Sequence, residues 1–267
     1  MHDWKWFIVL EKFTLYMTSF QQDRMIRVYL PESYQDGLKR YPVLYMHDGQ
    51  NVFEDVGAIN GTSLGLKEFL EESGLEIIVI GIDLNTEGEG RIDEYCPWKQ
   101  GKLSEEILGY ASPSGGKGED YLDFIVHELK PFIDRKYRTL EHETAMAGIS
   151  LGAIISTYAA CCYPQIFRKI AVLSPGFYRN QEALVEFIKH SDLSGIEKFY
   201  MDIGTKEVPD DPQASKMFFS LARQVYDLLS SQIGDTRFVS VEDAEHHYRF
   251  FRERMPEILA YLFSDKV

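Results

Sequence analysis

Residues 143–160 constrain this chain more than any other stretch, and their centre is Gly148-Ile149-Ser150-Leu151-Gly152. Residues 144–147 read as a short buried strand and residues 153–160 as a helix of small residues. A Gly-x-Ser-x-Gly between a strand and a helix forms a sharp turn, the nucleophile elbow, with the serine at its tip. The tip occupies backbone space that most residues avoid, and the close approach of the two limbs calls for a residue without a side chain on either side. The Ser150 hydroxyl is then lifted above the sheet edge. Read alone, the same pentapeptide also fits a serine that caps a helix N-terminus. What separates the two readings is the company Ser150 keeps elsewhere in the chain.

The remainder alternates between strands and helices. Residues 6–16 and 24–30 are rich in aromatic and β-branched residues with polar turn formers between them, the pattern of an antiparallel pair at a sheet edge, and Pro31 ends the second. Residues 43–46 form an apolar run that stops at His47-Asp48-Gly49-Gln50-Asn51, as a central strand does on entering a functional loop. Residues 62–72 have helical spacing, and 76–82 is an unbroken apolar strand of the kind covered on both faces in a parallel sheet. Residues 83–118 show little periodicity and isolated aromatics, so they read as one long loop. Helical spacing resumes over 120–137, where Pro131 is expected to kink or break it. Strands over 169–173, 198–203 and 237–241 then alternate with helices over 181–190, 211–232 and 248–263. No repeat or linker interrupts them, so the expectation is one doubly wound α/β domain spanning residues 1–267.

Composition narrows the function. A chain of 267 residues that is 45% hydrophobic suffices for one large core. A formal net charge of −14 and a pI near 5.0 argue against nucleic acid or an anionic membrane as partner, since both reward clustered Lys and Arg. Cys96, Cys161 and Cys162 form neither a disulfide framework nor a zinc spacing, which suits a reducing, cytoplasmic setting. The apolar run at 6–10 is short, flanked by Asp3, Glu11 and Lys12, and lacks a small-residue cleavage site, so neither a signal peptide nor a membrane span is expected.

In a doubly wound sheet, ligands gather at the carboxyl ends of the strands. Four features fall there: the 47–51 loop, the Ser150 elbow, the loop Gly204-Thr205-Lys206-Glu207, and the pair His246-His247. A serine hydroxyl becomes a nucleophile only when an imidazole takes its proton, and the imidazole needs a carboxylate to fix its tautomer. Asp202, Glu207, Asp210 and Asp211 compete for the acid; Asp202 lies inside its strand and the other two aspartates lie beyond Pro209, which leaves Glu207 at the strand's end. His246 and His247 satisfy the requirements of the base equally well on position alone. The order Ser, acid, His is that of α/β-hydrolases.

Several separated segments carry a resemblance. "RVYLPESY", "YPVLYMHDGQNVF", "YLDFIVHELKPFIDRKYRT", "MAGISLGA", "AVLSPGFY", "DIGTKE" and "AEHHYRFFRERMPEILAYLF" follow one another in an order that resembles the putative-esterase family of α/β-hydrolases, which includes esterase D-like, feruloyl-esterase and enterochelin-esterase-like enzymes. The resemblance covers nearly the whole chain. It implies Ser150 as nucleophile, Glu207 as acid and His246 as base, Ala244-Glu245-His246 matching a GAxH pattern whose fourth residue is the base. The chain departs from the family at Ile149 and Leu151 of the elbow, at Glu207 where aspartate is frequent, and at Tyr178 where a tryptophan usually follows the "SP".

The chemistry implied is two-step hydrolysis of an ester through an acyl-enzyme, with no metal or organic cofactor. Oxyanion donors are expected at the backbone N–H of Leu151, which follows the nucleophile, and of Gln50, placed after the glycine of the family's HG motif. Asp48, Asn51, Arg91 and Trp98 are the candidate substrate contacts, Arg91 and Trp98 for an anionic or aromatic group. The expected partner is a small-molecule ester; homo-oligomer formation is left open. An acyltransferase with the same triad, or a binding protein that kept the fold without turnover, are the alternatives.

Overall fold

A computed structural model describes residues 10–35 and 37–264. The start of the first expected strand, residues 6–9, and with it most of the apolar run at 6–10, lies outside the described residues. Among the described residues one sheet holds β1 (Leu10–Met17), β2 (Gln22–Tyr29), β3 (Tyr41–His47), β4 (Ile78–Ile82), β5 (Thr139–Ile149), β6 (Lys169–Leu173), β7 (Lys198–Gly204) and β8 (Thr236–Val241). Their order is β1-β2-β4-β3-β5-β6-β7-β8. Pairs from β4 through β8 are parallel, while β2 is antiparallel to both β1 and β4. The expected antiparallel edge is therefore present, and β2 alone runs against the rest. This is the doubly wound α/β architecture read from the alternation.

Period-two alternation along the central strands splits the core into two layers. In β3, Tyr45 joins one cluster while Leu44 and Met46 join the other; in β5, Met146 faces opposite Ala145 and Ala147. One face is covered by the helices α4 (Gly118–Asp123), α5 (Lys130–Lys136), α6 (Leu151–Cys162), α7 (Gln181–Lys189) and α8 (Pro212–Ser230), whose apolar residues join Tyr45 and Met146. The opposite face is covered by α1 (Leu66–Ser73) and α9 (Tyr248–Phe263). Helix α6 is buried from Leu151 to Cys161, which explains why its sequence is apolar all round and shows no amphipathic stripe.

Two elements differ from expectation. The 83–118 stretch contains α2 (Gly90–Tyr95) and α3 (Lys102–Leu108). Each has under two turns, too short for a 3.6-residue period to emerge. At Pro131 the helix does not break. Residues Phe124–Leu129 instead form a π-helical stretch between α4 and α5, and the Lys130 N–H bonds back to Ile125 O, five residues away. Widening the turn ahead of the proline accommodates its ring and missing N–H.

No helix among the described residues is long and apolar enough to cross a membrane. Cys96, Cys161 and Cys162 are free.

Candidate active site

Ser150 links β5 to α6 with φ 60° and ψ −116°, a conformation that L-residues rarely adopt. Its backbone is held from both sides. Ser150 N–H donates to Leu173 O at 3.0 Å, and Gly176 N–H donates to Ser150 O at 2.9 Å. The two glycines of the elbow are not equivalent. A Cβ on Gly148 would lie 2.0 Å from Gly152 O, whereas one on Gly152 would meet nothing nearer than the His47 Cβ at 3.4 Å. The steric requirement expected on both sides of the serine therefore applies to Gly148, and is not present at Gly152.

Glu207 and His246 come together at the ends of β7 and β8. Glu207 Oε2 lies 2.6 Å from His246 Nδ1, and its Oε1 accepts from Gly204 N–H at 2.7 Å and from the Ser174 hydroxyl at 2.5 Å. Burial pushes the Glu207 carboxyl up, but the bond and charge of His246 with the Ser174 and Gly204 donors outweigh it and hold the group below its usual range. A carboxylate only accepts, so the imidazole carries its proton on Nδ1 and leaves Nε2 as a lone pair. Asp202 is occupied elsewhere: its Oδ1 accepts from Arg254 Nη1 at 2.7 Å, and burial raises it to about 6 against the lowering influence of Arg254. His247 is the N-cap of α9 and accepts from Arg249 N–H through Nδ1 at 3.1 Å. The two adjacent histidines thus point to different partners.

Ser150, His246 and His247 line one cavity of about 350 Å³, together with Asp48, Asn51 and Arg91. Ser150 and His246 face it without a direct hydrogen bond, an open arrangement common before substrate draws such groups together. A larger cavity of about 520 Å³ lies at the amino-terminal end of β4, and no histidine lines it. Size is not what distinguishes the first.

Arg91 grips Asp48 with two bonds of 2.8 Å, from Nε to Oδ1 and from Nη2 to Oδ2, and lies over the Tyr95 ring. Asp48 has φ 56° and opens the short turn Gly49–Asn51, where a Cβ on Gly49 would strike Gly81 C at 2.6 Å. That contact presses the turn against β4. Asn51 donates to the Tyr248 hydroxyl at 2.9 Å, fastening the turn to α9. Neither Leu151 N–H, the first of α6, nor Gln50 N–H has a backbone acceptor among the described residues. The Gln50 side chain turns to Leu84 N–H, which it accepts at 3.1 Å.

Trp98 does not belong to this cavity. Its partly buried ring packs edge-on against Tyr158 and Phe187 at 5.2 and 5.5 Å, a position against the core that isolated aromatics in a long loop do not reveal. Sequence reasoning in turn missed Ile59, Asn60 and Thr62 on the cavity wall, and Ser174 behind Glu207. Only Ser174 carried a signal, through the "SP" segment. Among the described residues, no group of three or more His, Cys, Asp or Glu side chains is placed to hold a metal ion.

Residues 17–262 match the model of the family described as Putative esterase. The chain belongs to this family. Membership makes it a hydrolase of the carboxylic ester class. Among its relatives, the uncharacterized protein YbbA of Bacillus subtilis (strain 168) is 29% identical, covering 91% of this chain and 93% of that protein. The ferri-bacillibactin esterase BesA of the same organism is 26% identical over 56% of this chain and 53% of its own length. The fold is similar to the crystal structure of the BES protein from Bacillus cereus, with a TM-score of 0.74, 17% identity and 96% of each chain covered.

Proposed function

We propose that this family member is a serine carboxylesterase in which Ser150 is the nucleophile, His246 the general base and Glu207 the acid that orients it. The observation that carries the reading is the 2.6 Å contact between buried Glu207 and Nδ1 of His246, which lines the same cavity as the strained Ser150. Nε2 is then free to take the Ser150 proton as Oγ attacks the ester carbon. The imidazolium returns that proton to the departing alcohol. Water deprotonated by the same nitrogen releases the acid and restores the serine.

Leu151 N–H and Gln50 N–H serve as oxyanion donors in this scheme. Their lack of backbone acceptors supports the assignment, because each leaves a donor available for developing negative charge. Arg91, aimed by Asp48, gives the cavity a fixed cation suited to an acyl or alcohol portion that bears negative charge or several oxygens. The kinship with a ferri-bacillibactin esterase adds siderophore esters to the candidates. The acyl acceptor is water, and the site uses no cofactor.

A panel of p-nitrophenyl esters of graded chain length, with feruloyl, acetylated-sugar and ferri-bacillibactin substrates, tests the substrate class. Ser150→Ala is expected to lower kcat on the order of a million-fold with the fold intact. A fluorophosphonate should label Ser150 and no other serine. Retention of about a tenth of wild-type turnover by Ser150→Ala would overturn the nucleophile assignment.

A further inference from the structure

Glu207 is embedded in a longer chain of polar contacts than a triad requires. Behind its Oε1 stands the Ser174 hydroxyl at 2.5 Å, and behind Ser174 stands Arg254 Nη1 at 3.2 Å. The same Nη1 donates to Asp202 Oδ1 at 2.7 Å. A guanidinium can only donate. Ser174 must therefore accept from Arg254, and its own proton is left for Glu207. The direction of every bond in the series is forced by chemistry rather than chosen.

The members converge from separate elements. Ser174 follows the last residue of β6, Asp202 lies in β7 and Arg254 projects from α9, the helix that His246 and His247 introduce. All three side chains are buried. Ser174 adopts φ 42°, rare for a serine, and its N–H donates to Asp202 O at 2.9 Å, so backbone and side chain are tied to the same residue pair. None of the three lines the cavity. Their effect on the chemistry has to pass through Glu207.

We infer that Asp202, Arg254 and Ser174 form a positioning relay that fixes the plane of the Glu207 carboxylate so that Oε2 points at His246; this rests on the triad proposed above. The terminal torsion of a glutamate is soft. Gly204 N–H holds Oε1 at one point, and the Ser174 hydroxyl supplies the second that stops rotation about it. Losing the second donor leaves the substrate contacts untouched and weakens support for the imidazolium that forms during attack. The loss therefore falls on kcat and spares KM.

Ser174→Ala is the deciding variant, because it leaves the Arg254–Asp202 pair in place. It should lower kcat about ten- to a hundredfold with KM unchanged, the scale of one hydrogen bond to a charged group. Arg254→Met should match it, and the double variant should be no worse than either alone, as members of one unit behave. Arg254→Lys should recover most of the activity, since one nitrogen makes both bonds and an ammonium can donate both. Wild-type kcat in Ser174→Ala, or a loss expressed in KM alone, overturns the relay, as does Arg254→Lys behaving like a folded Arg254→Met. Fluorophosphonate labelling keeps the two readings apart. Failure of the wild-type protein to label at Ser150 sinks the triad, whereas normal labelling and turnover with an unaffected Ser174→Ala sinks only the relay.

Discussion

His47 precedes the cavity residue Asp48 yet has no part in the proposed chemistry, and its environment makes it a reporter of folding. Its Nδ1 lies 3.0 Å from the Tyr121 hydroxyl, Nε2 has no partner among the described residues, and the rings of Tyr95 and Tyr121 pack against it at 5.2 and 5.6 Å. Burial lowers its pKa from 6.5 to about 4, with Asp48 opposing and Arg91 assisting. Between those values the unfolded chain binds a proton that the folded chain refuses, so stability falls as pH drops through the window. A gap of about 2.5 pH units at about 1.36 kcal/mol each amounts to about 3 kcal/mol. Asp202, raised to about 6, works in the opposite sense: the folded state takes its proton first as pH falls. Urea denaturation of the wild-type protein and His47→Gln at about pH 7 and about pH 4 separates the two, since Asp202 is common to both. The wild-type protein should lose about 3 kcal/mol more than His47→Gln between those conditions. Equal losses would show that His47 does not titrate in this way.

The elbow sets the clearest contrast between two glycines of one motif, Gly148 at the end of β5 and Gly152 at the start of α6. At Gly148 an added Cβ falls 2.0 Å from backbone that cannot move without shifting Ser150, so Gly148→Ala should cost about 3 kcal/mol or more and abolish esterase turnover. At Gly152 the nearest atom outside the helix is the His47 Cβ at 3.4 Å, and alanine favours helix by about 1 kcal/mol over glycine. Gly152→Ala should therefore hold or raise the melting temperature, and a fall as large as that of Gly148→Ala would refute the asymmetry. The sequence motif presents the two glycines as equals, because a pentapeptide does not say which limb of the turn overhangs the other. Two kinds of element were legible for simple reasons: β6 is an apolar run buried on both faces, and α9 buries Phe251, Met255, Ile258, Leu259 and Leu262 at helical spacing. Helices α2 and α3 were not, and α2 carries Arg91. At α9 the sequence leaves His246 and His247 level, and the structure separates them by one residue of helix geometry, placing His247 on the cap and His246 on Glu207. Ser174 and Arg254 lie 80 residues apart, so their contact exists only once β6 and α9 have packed.

Taken whole, the molecule concentrates its polar chemistry at one edge of a sheet whose two faces share the same strands. Tyr45 and Met146 anchor one core layer while Leu44, Met46, Ala145 and Ala147, their immediate neighbours in sequence, anchor the other. Neither layer can come apart without exposing the strands that floor its counterpart. The proposed triad draws on the ends of β5, β7 and β8, and the cavity adds the turn after β3 and the start of α9. No contiguous half of the chain contains a complete site. This was foreseeable in outline, because alternation places every strand's carboxyl end on the same side; the register that brings Glu207 to His246 was not, since it is set by packing on both faces. If the chain is a single cooperative unit, ellipticity and hydrolysis of a p-nitrophenyl ester should disappear together across a urea titration, with one midpoint and one slope. Ser150→Ala should unfold at the same denaturant concentration as the wild-type protein while showing no turnover at any. Two well-separated transitions by ellipticity would instead divide the core, and would overturn the expectation that a single domain builds this site.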